Sequence, residues 1–192
     1  MPPAKKFQRE DIVKAAYEIV KTEGMKDMNA RRIAKELGCS TQPIYHNFRT
    51  MEELKQLVCD RIYADYVAYM GKGAKEERAY LGMGMAFIRF ARDYPNFFRV
   101  LFMHESGLSL IQFIQSDAIG KRVLEKGQVF SELDADQQKE FHRKVMVFTY
   151  GLAVMAAVQA VRLPDEEIRE LLASTTKELL VGFRYMQNQE DD

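Results

Sequence analysis

The stretch "MNARRIAKELGCSTQPIYHNF", residues 28–48, contains two short helical patterns that are separated by a glycine-containing turn. Asn29 belongs to the residue types that cap helix N-termini, and Gly38 stands where a left-handed C-terminal cap is expected. Ser40 is predicted to cap the second helix, which ends near Phe48. This order of elements is typical of a helix-turn-helix, whose second helix is presented to the major groove of DNA.

The second of these helices has two different faces. At about 100° per residue, Ile44 and Phe48 lie about 200° and 240° around the helix axis from Gln42, so they are predicted to pack inward. Pro43 falls in the first turn, where a backbone amide has no intrahelical acceptor to lose. The predicted outward stripe consists of Thr41, Gln42, Tyr45 and His46.

The outward stripe suits contact with DNA. Amide and hydroxyl groups can read base edges, and phenol and imidazole groups can bond to phosphate oxygens. Nearby basic side chains would neutralise phosphates, namely those of Arg31, Arg32, Arg49 and Lys55. An exposed polar face on an ordinary three-helix unit fits the same residues, so the pattern alone leaves both interpretations open.

Charge and cysteine content set the wider context. Of the 28 Lys+Arg and 28 Asp+Glu, residues 1–50 hold 10 and 6, which leaves 18 and 22 for the remainder. The resulting excess of +4 in the first part favours an anionic partner there, although unevenly distributed surface charge explains it too. Cys39 and Cys59 form neither a disulfide framework nor a metal-ligand spacing, so we expect a reducing, cytoplasmic setting.

Helical periodicity continues through the rest of the chain. Apolar residues recur every three or four positions, and no alternating strand pattern or Asn-Gly hairpin signal occurs, so we predict an all-α protein. The apolar run at residues 145–161 is short for a bilayer span and is predicted to be a buried helix, with no membrane partner. Further helices are predicted over residues 8–23, 51–69 and 76–93, from Pro95, after a capping sequence at 134–137, and from Pro164.

Residues 8–58 as a whole resemble the N-terminal domain of the TetR family of transcriptional regulators. The matching positions are Ile33, Ala34, Gly38, Ser40, Tyr45, Phe48, Glu53 and Leu54. The resemblance implies a helix-turn-helix DNA-binding domain of three helices over residues 1–50. It also implies a larger helical domain for ligand binding and dimerisation over residues 51–192.

The resemblance assigns roles to the residues of the helix-turn-helix. Thr41, Gln42 and Pro43 are expected to contact bases, whereas Asn29, Tyr45 and His46 contact phosphates. The full predicted DNA-binding set is Asn29, Arg31, Ser40, Thr41, Gln42, Pro43, Tyr45, His46, Arg49 and Lys55. Met51 departs from the family, which usually has lysine there, so Arg49 or Lys55 would supply that phosphate contact.

Methionine and aromatic residues in the middle of the chain could line an adaptable apolar pocket. The predicted pocket residues are Tyr66, Met83, Phe87, Phe90, Phe102 and Met103. Core packing explains these side chains equally well. The resemblance implies a repressor that a small apolar or amphipathic molecule releases from a palindromic operator. The alternative is a DNA-binding regulator with a solid core and no effector.

The last two predicted helices favour self-association. Their apolar stripes are longer than one short partner helix needs to cover, and the resemblance implies a four-helix bundle between two copies. The predicted interface consists of Phe148, Leu152, Met155, Ile168, Leu171, Leu172, Thr175 and Leu179. A buried pair of helices within one chain is the alternative. We find no catalytic triad order, phosphate-binding loop or carboxylate pair, so we predict no enzyme activity, no cofactor and no metal.

Overall fold

The computed structural model describes residues 7–103, 122–123, 130, 132–160 and 164–190, with side chains to residue 185. Every regular element in these ranges is helical, which confirms the predicted all-α fold. The helices are α1 (Arg9–Thr22), a 3-10 turn (Met25–Asp27), α2 (Ala30–Leu37), α3 (Gln42–Asn47), α4 (Met51–Gly73), α5 (Ala79–Asp93), α6 (Pro95–Phe102), α7 (Ala135–Ala157) and α8 (Asp165–Glu190).

The described residues group into two compact units. The first takes in residues 7–67 and 94–103, and the second takes in residues 68–93 and those from 122 onward. The boundary between residues 50 and 51 that we expect from the sequence separates a DNA-binding domain from a ligand-binding and dimerisation domain. It is a division by function and not by contacts, and it stays a prediction. None of the described helices combines the length and the apolar character that a membrane crossing requires.

The core of the first unit forms where the apolar stripe of α1 packs against α2 and α6. Its fully buried side chains include Ile12, Ile19, Ile33, Ile44, Phe48, Leu54, Ile62, Phe97 and Phe98. The ring of Tyr17 lies 4.9 Å from that of Phe97, and its hydroxyl donates to Asp65 Oδ2 on α4 at 2.6 Å. Burial, followed by the bond to Asp65, raises the pKa of Tyr17. Helices α1, α2 and α3 therefore pack on a shared apolar core.

Local capping chemistry determines most of the helix ends. Asn29 Oδ1 accepts a hydrogen bond from the Arg32 amide at 3.0 Å, and Gly38 ends α2 in the left-handed conformation with φ 67° and ψ 36°. Both capping predictions are confirmed. The prediction that Ser40 caps α3 is wrong, because the N-cap is Thr41. Thr41 has helical dihedrals, φ −73° and ψ −12°, and its side chain makes no capping bond.

Helix α4 continues to Gly73, four residues beyond its predicted end, and α5 starts only at Ala79. The sequence "GKGAKEE", residues 71–77, has the composition of a flexible turn, but its Gly73 ends α4 and serves a close approach. A Cβ at Gly73 would overlap the backbone carbonyl of Gly82 on α5, and a Cβ at Gly82 would overlap that of Gly73. Glycine at both positions therefore lets the two helices touch through their backbones.

The second unit is built around α5, which packs against α7 and α8. A buried cluster unites Phe130, Leu133, Phe141, Val145, Leu180 and Phe183. Asp134 accepts from the amides of Asp136 and Gln137 at 2.9 Å each, and Gln137 Oε1 accepts from the Asp134 amide at 3.1 Å, which confirms the predicted capping sequence of α7. Arg89 and Arg92 on α5 bond to Asp165 on α8 at 2.8 and 2.6 Å.

Two glycines with equal space around them should respond to alanine with opposite signs. Apart from the adjacent residues and the backbone of the same helix, no described atom lies within 4 Å of a Cβ built on Gly38 or on Gly71, but only Gly38 has a positive φ. We expect Gly38→Ala to lower the free energy of unfolding by about 1 kcal/mol, because L-residues are strained there. Gly71→Ala, inside α4, should raise it by about 0.5–1 kcal/mol. Urea unfolding checks both, and shifts of the same sign would contradict this account.

Candidate nucleic-acid interface

Helix α3 presents the two faces that its sequence predicts. Ile44 is 0% exposed and Phe48 is 2% exposed, so both belong to the core of the first unit. Tyr45 is 59% exposed, and Gln42 and His46 are exposed as well. An exposed tyrosine on a helix of only six residues adds nothing to the core of the chain. The polar face of α3 is therefore open to a partner.

The remaining predicted contacts lie at the two helix starts and beside α3. Asn29 and Arg31 are exposed at the start of α2. Ser40 is exposed in the turn, whereas Thr41 and Pro43 are half-buried at the start of α3. Asn29 Nδ2 also donates to the Asp27 carbonyl oxygen at 3.2 Å. The Asn29 side chain is thus held by the protein on both its oxygen and its nitrogen.

The basic side chains near α3 differ in their availability. Arg32 is bound by Glu23 and Glu36, and these bonds raise the pKa of Arg32. The pKa of Glu23 is lowered, mainly because its carboxylate accepts hydrogen bonds from Arg32. Lys55 Nζ lies 2.6 Å from Glu52 Oε1.

Two other basic side chains near α3 lack such carboxylate partners. Among the described residues, the guanidinium groups of Arg31 and Arg49 make no ion pair within 4 Å, and both side chains are exposed. The sequence therefore overestimates Arg32 as a phosphate ligand, because its charge is already matched by two carboxylates. Arg31 and Arg49 are the better candidates on this surface.

The predicted DNA-binding set does not include one residue that contacts the end of α3 from another helix. Arg9, the first residue of α1, donates from Nη1 to the Asn47 carbonyl oxygen at 2.9 Å and from Nη2 to Glu53 Oε1 at 2.7 Å. Its guanidinium group lies 4.4 Å from the centroid of the Phe48 ring. Sequence separations of 38 and 44 residues leave no local pattern from which these contacts could be predicted.

The predicted pocket residues divide between the two units, and their common pocket stays a prediction. Tyr66 and Phe102, with rings 5.1 Å apart, lie in the first unit together with Met103, which is 40% exposed. Met83, Phe87 and Phe90 are buried in the second unit.

A cleft of about 930 Å³ does lie in the second unit, beside the start of α5 and along α8. None of the six predicted pocket residues lines it. Its lining includes Arg78, Tyr80, Phe130, Lys177, Leu180 and Val181. The Tyr80 hydroxyl lies 3.0 Å from Nδ1 of the buried His142, so this phenol has a polar partner inside the unit. No three His, Cys, Asp or Glu side chains come together as a metal site within the described ranges.

The predicted interface residues on α7 and α8 divide between core and surface. Leu152, Ile168 and Leu172 are at most 8% exposed in the single chain, and Phe148, Thr175 and Leu179 are half-buried. Met155 and Leu171 are 38% and 39% exposed. Further exposed apolar side chains are Val147 on α7, Val158 at the C-cap of α7, and Val181 and Tyr185 on α8.

On α7 and at its C-cap, Val158, the exposed apolar residues follow a helical spacing. Val147, Gly151, Met155 and Val158 are separated by four, four and three positions. They therefore form one continuous stripe on the outside of the helix.

Comparisons with known proteins agree with this geometry. A family profile described as "Bacterial regulatory proteins, tetR family" matches residues 12–56, which cover most of α1 and all of α2 and α3. An uncharacterized HTH-type transcriptional regulator of Mycobacterium tuberculosis is 27% identical over 93 residues, a stretch that covers 47% of this chain and 43% of that protein. The crystal structure of a TetR-like transcriptional regulator from Rhodococcus sp. RHA1 superposes with a TM-score of 0.66 at 15% identity, over 90% of this chain and 95% of the other.

Proposed function

We propose that this chain, a transcriptional regulator of the TetR family, acts in the cytoplasm as a homodimeric repressor that binds a palindromic operator and releases it when a small molecule binds. The open polar face of α3 above the buried Ile44 and Phe48 is the observation that carries the proposal. A helix with one face anchored in the core and the other free has the arrangement that major-groove binding requires.

The DNA contacts follow from the chemistry of that face. Gln42 and Thr41 at the start of α3 can bond to base edges, as the N-terminal residues of a recognition helix do. Tyr45 and His46 are placed one turn further along and are proposed to bond to phosphates. Arg31 and Arg49 would add charge neutralisation, which makes affinity depend on salt.

The exposed stripe on α7 and the exposed apolar side chains of α8 support self-association. Val147, Met155 and Val158 are each at least 38% exposed, and they lie on the same face as Gly151. Paired with its twofold copy, this surface would bury apolar area and let the backbones approach closely at the glycine. A twofold dimer presents two α3 helices to half-sites about 34–36 Å apart.

The cleft in the second unit supports an effector. Leu180, Val181 and Phe130 provide apolar lining. The charged side chains of the lining are those of Glu77, Arg78, Lys177 and Arg184, so positive charge is in excess there. This combination fits an amphipathic anion with an apolar body. A molecule that prefers one arrangement of the dimer would shift the population away from the spacing that binds DNA.

Selection from a pool of random duplexes tests the proposed function. The purified full-length protein should enrich a sequence with twofold symmetry, and its affinity for that duplex should fall steeply as salt is raised. Recovery of no enriched sequence over several rounds, with the protein folded and dimeric, would contradict the proposal of specific DNA binding.

The effector proposal is tested with three small molecules that have alkyl chains of the same length. Decanoate, decanol and decylamine share an apolar body, and only decanoate is an anion. We expect decanoate to release the selected duplex most effectively, because Arg78 and Lys177 lie at the cleft. Lys177→Glu should weaken the response to decanoate several-fold, since like charges repel. Lys14→Glu, an exposed substitution on α1, is the control. Equal responses to all three probes would contradict a charged cleft, and no response would favour a regulator without an effector.

A further inference from the structure

Arg9 joins three elements at the end of α3. It starts α1, its Nη1 bonds to the last carbonyl of α3 at Asn47, and its Nη2 bonds to Glu53 in the first turn of α4. Its guanidinium carbon lies over the ring of Phe48, the residue that follows α3 directly. A planar guanidinium group can make all three contacts at once because its donors form a rigid fork.

The partners of Arg9 are themselves held in position. Asn47 Nδ2 donates to the Pro43 carbonyl oxygen at 2.8 Å within α3. Glu53 Oε2 accepts from the Arg49 amide at 2.9 Å, and the Thr50 hydroxyl oxygen accepts from the Glu53 amide at 3.2 Å. The Arg9 bond, followed by the Arg49 amide, lowers the pKa of Glu53. The Glu53 carboxylate thus stays ionised as a partner for Arg9.

Helix α3 depends on such contacts because it has only six residues. A helix of this length is unstable in isolation, since the cost of nucleation is not recovered over so few bonds. Its direction is set by what holds its two ends and its buried face. Ile44 and Phe48 hold the face, and among the described contacts Arg9 holds the terminal carbonyl.

We propose that Arg9 is a positioning residue for DNA recognition, which sets the orientation of α3 against α4 and thereby operator specificity, without touching DNA itself. This inference rests on the proposed DNA binding through α3. A recognition group has to be held to within about 0.5 Å of its binding geometry, so a small tilt of α3 would forfeit contacts to bases. Contacts to phosphates along the rest of the surface would survive it.

The exposure of the Arg9–Glu53 pair distinguishes a positioning role for Arg9 from a contribution to the stability of the fold. The side chains of Arg9 and Glu53 are 47% and 36% exposed, and ion pairs at that exposure add little to the stability of a fold. We therefore expect loss of the Arg9 contacts to leave the unfolding transition almost unchanged while operator binding weakens. A merely structural residue would show the reverse.

Arg61 provides a matched control. It too links α1 to α4, through Glu10 at 3.4 Å, and its guanidinium group lies 4.8 Å from the Tyr17 ring centroid. It makes no described contact with α3. Arg9→Lys and Arg61→Lys both keep the charge and replace the rigid fork with one ammonium group. Only Arg9→Lys removes a contact from the end of the recognition helix.

The experiment compares these two variants in the full-length protein. The probes are the duplex that the unmodified protein enriches from a random pool and a scrambled duplex of the same length. For Arg9→Lys we expect about tenfold weaker binding to the enriched duplex and unchanged binding to the scrambled one. Amide hydrogen exchange in residues 42–48 should become faster, because α3 loses its terminal bond. Arg61→Lys should match the unmodified protein in all three measurements.

Four results would overturn the proposal. Equal losses on both duplexes for Arg9→Lys, or a salt slope that falls by about 0.9 in Arg9→Gln, would make Arg9 a phosphate ligand instead. Unchanged operator affinity and unchanged exchange in residues 42–48 would show that α3 is held without Arg9, while DNA binding by the unmodified protein stands. Failure of the unmodified protein to enrich any duplex would overturn the proposed function and this inference together.

Discussion

Replacing Tyr45 and His46 together with alanine is expected to weaken operator binding by roughly 100-fold, because each side chain is proposed to supply a phosphate contact worth about 1–2 kcal/mol. Both side chains are exposed, and Tyr45 is 59% exposed. The free energy of unfolding should change by less than about 0.5 kcal/mol, since neither side chain belongs to the core. A mobility shift across a salt series, beside urea unfolding, measures the two quantities separately.

Tyr63→Ala is the control for this double substitution. Tyr63 is a tyrosine of nearly equal exposure, 57%, and it lies on α4 in the same unit. It should bind the operator as the unmodified protein does. If the double variant also keeps its affinity, the outward face of α3 does not contact DNA. If both variants lose affinity in proportion to lost stability, the effect comes from the fold and not from recognition.

Gly151→Arg is expected to convert the proposed dimer into a monomer and to raise its dissociation constant by at least about 100-fold, because two buried, opposed arginines cost several kcal/mol. Gly151 is exposed at the centre of the α7 stripe, and a Cβ there meets no described atom within 4 Å beyond the adjacent residues and the backbone of α7 itself. An arginine therefore fits the isolated chain without strain. Sedimentation equilibrium checks the association state.

Two further glycine variants make the result specific to this face. Gly182→Arg should also disrupt the proposed dimer, because Gly182 is exposed on α8, one turn before the exposed Tyr185, on a helix of the proposed interface. Gly71→Arg on α4 meets equally open space outside α7 and α8 and should stay dimeric. If Gly151→Arg remains a dimer with an unchanged dissociation constant, the copies pair through another surface. Operator binding should fall together with dimerisation, since one half-site supplies only half of the contacts.

Features that depend on neighbours along the chain could be predicted from the sequence. The Asn29 cap, the left-handed Gly38 and the Asp134–Gln137 capping box were all accessible because each involves residues within three or four positions of one another. The orientation of Ile44 against Tyr45 also follows from the fixed rotation per residue of a helix. The all-α class and the helix-turn-helix follow from the same short-range rules.

Predictions from the sequence were wrong where one residue type can serve two structural roles. Glycine at positions 71 and 73 indicates a turn by composition, but Gly73 instead allows backbone contact with Gly82 on the next helix. Ser40 and Thr41 are both acceptable capping residues, and the structure has Thr41 at the cap. Local preference leaves such alternatives nearly equal in free energy, and packing against distant residues decides between them.

The sequence by itself determined the fold class, the helix-turn-helix and the polar face of α3, because helical periodicity and capping act over a single turn. Tertiary structure alone decided that Arg32 is engaged by Glu23 and that Arg9 holds the end of α3. It also decided that Leu152 and Leu172 lie in the core while Met155 and Leu171 remain exposed. An apolar stripe shows that a helix has a face to bury, but only the helices packed around it determine which part is already covered.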